Sequence, residues 1–86
     1  MTEHEKIFFK TAGVIRMVLG MSSNQTILYN DDIEDAFGAD SLDKVEIIMK
    51  LEKIYDITID KTDEGVDGIK TVGDLVETIE NLLKTK

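Results

Sequence analysis

Asp40-Ser41-Leu42-Asp43-Lys44-Val45-Glu46-Ile47-Ile48-Met49-Lys50-Leu51-Glu52-Lys53-Ile54-Tyr55-Asp56 is the stretch that decides the fold. From Leu42 to Asp56 it contains neither glycine nor proline. It opens on two short polar side chains, and the oxygen of either Asp40 or Ser41 can accept a bond from an unpaired amide of a first helical turn. Asp40 also stands where the helix dipole favours negative charge. Asp40 with Lys44, and Glu46 with Lys50, are favourable pairs four residues apart. At about 100° per residue the apolar positions divide into two stripes. Ile47, Ile48, Leu51, Ile54 and Tyr55 form a broad one, expected to face a core. Leu42, Val45 and Met49 form a narrower one on nearly the opposite side, bordered by Glu46, Glu52, Lys53 and Asp56. A short helix with two apolar faces either lies deep in a bundle or offers one face to a partner, and the small size of the chain favours the partner.

Upstream, a first helix is expected from about Thr2 to Leu19. Its stripe is Phe8, Ala12, Ile15 and Leu19, widened by Ile7, Val14 and Val18. Gly20 suits the position after a helix end, because glycine tolerates a left-handed backbone. Gly13, inside the helix, costs about 1 kcal/mol against alanine. From Met21 to Ala39 the chain is rich in Ser, Asn, Asp and Gln and reads as a long loop, pinned by Ile27, Leu28, Ile33 and Phe37. Downstream, Ile57-Thr58-Ile59 is poor helix material. Asp60 to Lys70 holds Gly65 and Gly68 among charges, with few apolar anchors, so at most a short helical turn is expected there. Thr71 with Asp74 three residues on resembles a capping box. The final helix then buries Val72, Leu75, Val76, Ile79, Leu82 and Leu83. The expected fold is all-α, a small bundle of three main helices plus a short, weak helix before the last one, in a single domain over residues 1–86.

Composition narrows the chemistry. The chain has 86 residues, an ordinary 42% of them apolar, so one small core is expected. It has no cysteine, which removes disulfides, thiolate catalysis and cysteine-based metal sites. Its one histidine, His4, lies near the terminus, where rigid positioning is not the rule. Asp60 with Gly65 has the spacing that begins an EF-hand loop. The third, fifth and twelfth positions are Thr62, Glu64 and Thr71, so the bidentate glutamate is missing and no metal site is expected. The net charge of −8, from 18 acidic and 10 basic residues, disfavours nucleic acid and anionic membranes. The same field attracts partners with basic docking faces. No apolar run approaches a membrane span and no secretion signal is evident, so a cytoplasmic monomer without stable membrane insertion is expected.

As a bare tripeptide, Asp40-Ser41-Leu42 reads only as a helix cap. In context it reads differently. Gly38-Ala39-Asp40-Ser41-Leu42-Asp43, followed by Val45-Glu46, Met49, Leu51-Glu52 and Tyr55-Asp56, resembles the modification site and second helix of acyl carrier proteins. Thr71-Val72-Gly73-Asp74-Leu75-Val76-Glu77-Thr78-Ile79 is similar to the final helix of that family. The resemblance spans the chain from about Asn30 onward and is weaker across the first helix.

The resemblance implies a four-helix carrier fold. It also implies that Ser41, flanked by Asp40 and Leu42, receives 4′-phosphopantetheine from coenzyme A through a separate phosphopantetheinyl transferase. The arm's thiol then holds acyl groups as thioesters, and the protein itself catalyses nothing. Partners would be acyl-loading and chain-processing enzymes docking on Leu42, Asp43, Val45, Glu46, Met49 and Lys53. Fatty acid synthesis is the first reading of the pathway, followed by a specialised carrier for polyketide, modified-acyl or aminoacyl synthesis. A helical adaptor that uses Ser41 only as a cap is the alternative from another class. The chain departs from the strongly acidic second helix usual in fatty acid synthesis by carrying Lys44, Lys50 and Lys53. It also lacks the usual proline after Ile59.

Overall fold

The computed structural model describes residues 1–85, and of Asp63 the backbone only. Five helices occur among these residues: α1 (Glu3–Leu19), α2 (Ile33–Phe37), α3 (Ser41–Tyr55), α4 (Asp63–Asp67) and α5 (Val72–Lys84). The long helices begin on reciprocal caps written in the local sequence. Thr2 Oγ1 accepts from the Glu5 N–H at 3.1 Å while the Glu5 carboxylate accepts from the Thr2 N–H at 3.1 Å. Asp40 with Asp43, and Thr71 with Asp74, repeat the arrangement on α3 and α5. Each box satisfies two amides that no helical carbonyl can reach. Gly20 ends α1 in the left-handed region at φ 66°, as expected of its position.

α1 packs against both α5 and α3, and α4 touches α3. The buried cluster between them is mostly isoleucine and valine, with Ile7, Ile15, Ile47, Leu51, Val72, Leu75, Val76 and Ile79 fully enclosed. β-Branched side chains have few rotamers to lose and pack in defined positions. Thr11 is also fully buried at the centre of the α1 face.

The structure departs from the sequence reading in four places. Residues 21–39 are not all loop, because α2 interrupts them. Asp32 caps this single turn, accepting from the N–H groups of Glu34 and Asp35 at 3.0 and 2.9 Å, and Gly38 ends it at φ 70°. Five residues are too few to show a helical period. Lys44 pairs not with Asp40 but with Glu34 on α2, at 3.4 Å, and the lysine is only 2% exposed. Asp40 instead turns its carboxylate toward the Asp43 amide. Ile54 does not join the core but stays 48% exposed. The stretch around α4 is better anchored than its composition implies, since Ile59, Val66 and Ile69 are all buried.

Tyr29 ties the loop after α1 to two helices. Its ring lies 5.3 Å from that of His4 and 6.1 Å from that of Phe8 on α1. Its hydroxyl donates to the Glu77 carboxylate on α5 at 2.9 Å. Burial, then the bond to Glu77 and the charges of Glu77, Glu80 and Asp74, push the phenol up to about 12. Its carbonyl accepts the Gly73 N–H at 2.7 Å, and a Cβ on Gly73 would meet the ring at 2.5 Å.

Gly73→Ala should therefore cost about 1–3 kcal/mol by forcing Tyr29 off α5, read as a lower urea midpoint. Asp74 gives a pH signature. Its carboxylate is held below the ordinary aspartate range, first by the Thr71 N–H and also by the Lys70 N–H. A depressed folded value means the contribution is complete above the ordinary value and lost as pH falls through the lowered one. Asp74→Ala should cost about 1 kcal/mol at neutral pH. The variant's unfolding midpoint should also fall less steeply than the wild type's between about pH 5 and pH 2.

Candidate functional site

The start of α3 is built by a sharp turn and a cap. Gly38 closes α2, Ala39 is buried, and Asp40 is extended at φ −97°, ψ −176° before the helix begins. Asp40, not Ser41, caps the helix, so the alternative left open by the sequence is resolved. Its carboxylate accepts from the Asp43 N–H at 2.8 Å, and its own N–H donates to the Asp43 carboxylate at 3.2 Å. Ser41 is thereby the first helical residue and is exposed. No hydrogen bond occupies its hydroxyl among the described residues, nor the N–H groups of Ser41 and Leu42.

This geometry suits an anion carried on the serine oxygen. Two unspent amides and the positive end of the helix dipole surround the position. The neighbouring carboxylates of Asp40 and Asp43 are engaged in the capping box, which limits their freedom to swing toward it. Lys44, one turn along, is committed to Glu34. A phosphodiester on Ser41 Oγ would thus be held by backbone groups, and the residues present fit a phosphopantetheine group. His4, the chain's only imidazole, sits in contact with Glu80 at 3.2 Å and with Tyr29.

Beside the serine the outer face of α3 carries a shallow groove of about 370 Å³, lined by Leu42, Val45, Glu46, Met49, Lys50 and Lys53. Leu42 is 79% and Met49 46% exposed, whereas Val45 is half-buried. The structure thus brings together five of the six residues read as docking residues. Asp43 is the sixth. It is half-buried, does not line the groove, and its carboxylate serves the Asp40 amide. Lys50 also lines the groove, although it was read as one end of a pair with Glu46 and as a departure from an acidic helix, not as a docking residue. Its place beside Met49 and four residues after Glu46 was the available signal.

Among the described residues no helix is long and apolar enough to cross a membrane, and no cluster of three or more His, Cys, Asp or Glu side chains could hold a metal ion. Comparison with known proteins agrees with the site's form. A family described as "Phosphopantetheine attachment site" matches residues 12–79. An acyl carrier protein of Prochlorococcus marinus (strain MIT 9515) is 40% identical over 76 residues, covering 88% of this chain and 91% of that relative. With an exposed serine at a capped helix start, an apolar groove beside it and similarity along nearly its whole length, the chain belongs to the acyl carrier protein family, whose hallmark is a phosphopantetheine attachment site.

Proposed function

We propose that Ser41 is the attachment point and that the loaded protein carries acyl intermediates of fatty acid synthesis. The observation that carries the reading is Ser41 itself, exposed, first in a capped helix and with a hydroxyl that makes no hydrogen bond among the described residues. The group on Ser41 supplies a terminal thiol for thioesters, which a chain without cysteine does not otherwise possess. Asp40 fixes the turn so that the serine is presented identically to each enzyme, and Asp43 holds Asp40 in place. Leu42 offers an apolar anchor immediately beside the serine. No base is hydrogen-bonded to Ser41 among the described residues, so the modifying transferase has to remove the hydroxyl proton. The protein acts as a carrier domain over residues 1–86 and leaves catalysis to its partners.

Docking follows from the α3 groove. Leu42, Val45 and Met49 provide the apolar centre, and centres of this kind hold complexes together, whereas rim charges set association rate and salt dependence. Glu46 would meet a basic group on the partner. Lys50 and Lys53 line the same groove and would repel it. That mixed rim favours a second reading of the pathway, a specialised carrier whose own enzymes place carboxylates opposite these lysines.

Incubation with coenzyme A and a promiscuous phosphopantetheinyl transferase should add one phosphopantetheine to the wild-type chain, read by intact mass, and none to Ser41→Ala. A wild-type chain left unmodified by several transferases would overturn the assignment. Met49→Ala should weaken docking by about 1–2 kcal/mol, mostly through faster dissociation. Lys53→Glu should speed association with a standard fatty acid synthase component that has a basic face. Slower association of the same variant with the chain's native partner would favour the specialised carrier.

A further inference from the structure

Exposed apolar surface also gathers away from the groove beside Ser41. Phe9, Met17 and Ile54 are 55%, 62% and 48% exposed, and they line a groove of about 520 Å³ between α1 and α3. Gly13 and Val14 lie among them, and Lys6 and Lys10 stand on the rim. Large apolar side chains scattered singly need no explanation, but several around one concavity mark a surface that something covers. This groove shares no lining residue with the one beside Ser41.

Two observations indicate what would cover it. The first is charge. The chain carries 18 acidic residues, yet none lines the groove. Lys6 and Lys10 enter no ion pair among the described residues. On a protein of net charge −8 this is a locally basic, apolar patch. The second is Gly13. Glycine inside a helix is less stable than alanine, and a Cβ at this position would meet nothing within 4 Å. Neither an unusual backbone angle nor a neighbouring side chain demands glycine there. Its lack of a side chain leaves the groove floor open down to the α1 backbone, as a close approach by another chain requires.

We propose that the α1–α3 groove is a second docking surface, shaped for an amphipathic helical segment of a partner protein that carries carboxylates beside its apolar side chains. Lys6, Phe9, Lys10, Gly13 and Met17 recur at helical spacing along one side of α1, so the surface is an elongated strip suited to a rod-like partner. The apolar side chains of that segment lie on Phe9, Met17 and Ile54, and its carboxylates meet Lys6 and Lys10. A two-fold pairing of this chain through the groove would gather the lysines of both copies with no carboxylate from either lining to balance them. An anionic membrane would be opposed by the protein's overall charge. Because the two grooves are separate, an enzyme could be held here while the α3 face serves another step.

The test is a titration of the ¹⁵N-labelled full chain with a synthetic helical peptide bearing leucines at positions i, i+3, i+4 and i+7 flanked by glutamates. A lysine-flanked version of the same peptide is the control. The glutamate peptide should shift the amides of Phe9, Lys10, Gly13, Met17 and Ile54, and the lysine peptide should not. Lys6→Glu combined with Lys10→Glu should weaken binding about tenfold or more. Gly13→Ala should raise Tm by about 4–8 °C yet weaken binding, which separates loss of the groove from loss of the fold. Shifts confined to Val45, Met49 and Lys53 would overturn the proposal. So would unchanged affinity in the Gly13→Ala and charge-reversed chains, self-association through the groove in sedimentation, or its occupation by phosphatidylglycerol vesicles.

Discussion

Three backbone hydrogen bonds between the loop after α1 and the start of α5 underlie the arrangement of everything else. The Gly73 N–H donates to the Tyr29 carbonyl at 2.7 Å, the Val72 N–H to Asp31 at 3.0 Å, and the Ile33 N–H to Lys70 at 2.9 Å. They join segments some forty residues apart, so the chain meets the loop-closure entropy here before the bonds can form. Each bond is worth only about 0.5–1.5 kcal/mol net, but a buried amide left unpaired would cost more. Tyr29 adds its ring against Phe8 and its hydroxyl to Glu77, so α1, the loop and α5 are bound at one point. Gly73 allows this contact because a side chain there would occupy the place of the ring.

That tie reaches Ser41 through α2. Ile33 is both the first residue of α2 and a partner in the tie, so α2 is anchored at its start. Glu34 then stands over the buried Lys44 of α3, and the turn through Gly38 to Asp40 follows directly. Lys44 is buried while Glu34 stays about half exposed, so the pair is of modest net worth but aligns α2 over α3. The turn under Ser41 is tied in place by these contacts, while the serine hydroxyl makes no hydrogen bond among the described residues. A carrier needs both properties, since successive enzymes must find the same atom in the same place and nothing must compete for it.

The apolar surface left in water has the same logic. A domain of this size is only marginally stable, and exposed Leu42, Met49, Phe9, Met17 and Ile54 each forgo burial that the fold could have used. Leu42 and Met49 gather beside Ser41, whereas Phe9, Met17 and Ile54 gather on a separate strip where α1 presents Gly13 and two lysines. The two surfaces differ in what they offer, and the chain's acidic residues are absent from the second.

Local physics was legible in the sequence. The capping pairs Thr71 with Asp74 and Asp40 with its neighbours, the stop at Gly20 and the periods of the long helices all depend on groups within a turn of one another. So did the separation of α3 into a core face and an outer face, and the motif around Ser41. Tertiary structure alone decided what depends on partners distant in sequence. α2 is shorter than a self-sustaining helix and exists because Asp31 and Ile33 are hydrogen-bonded to Val72 and Lys70 at the approach to α5. Lys44 is buried because α2 brings Glu34 over it, and Ile54 is exposed because it opens onto the same groove as Gly13. A helical period states which residues share a face. Whether that face is covered depends on the element that arrives opposite it, and that is settled only when the chain has closed.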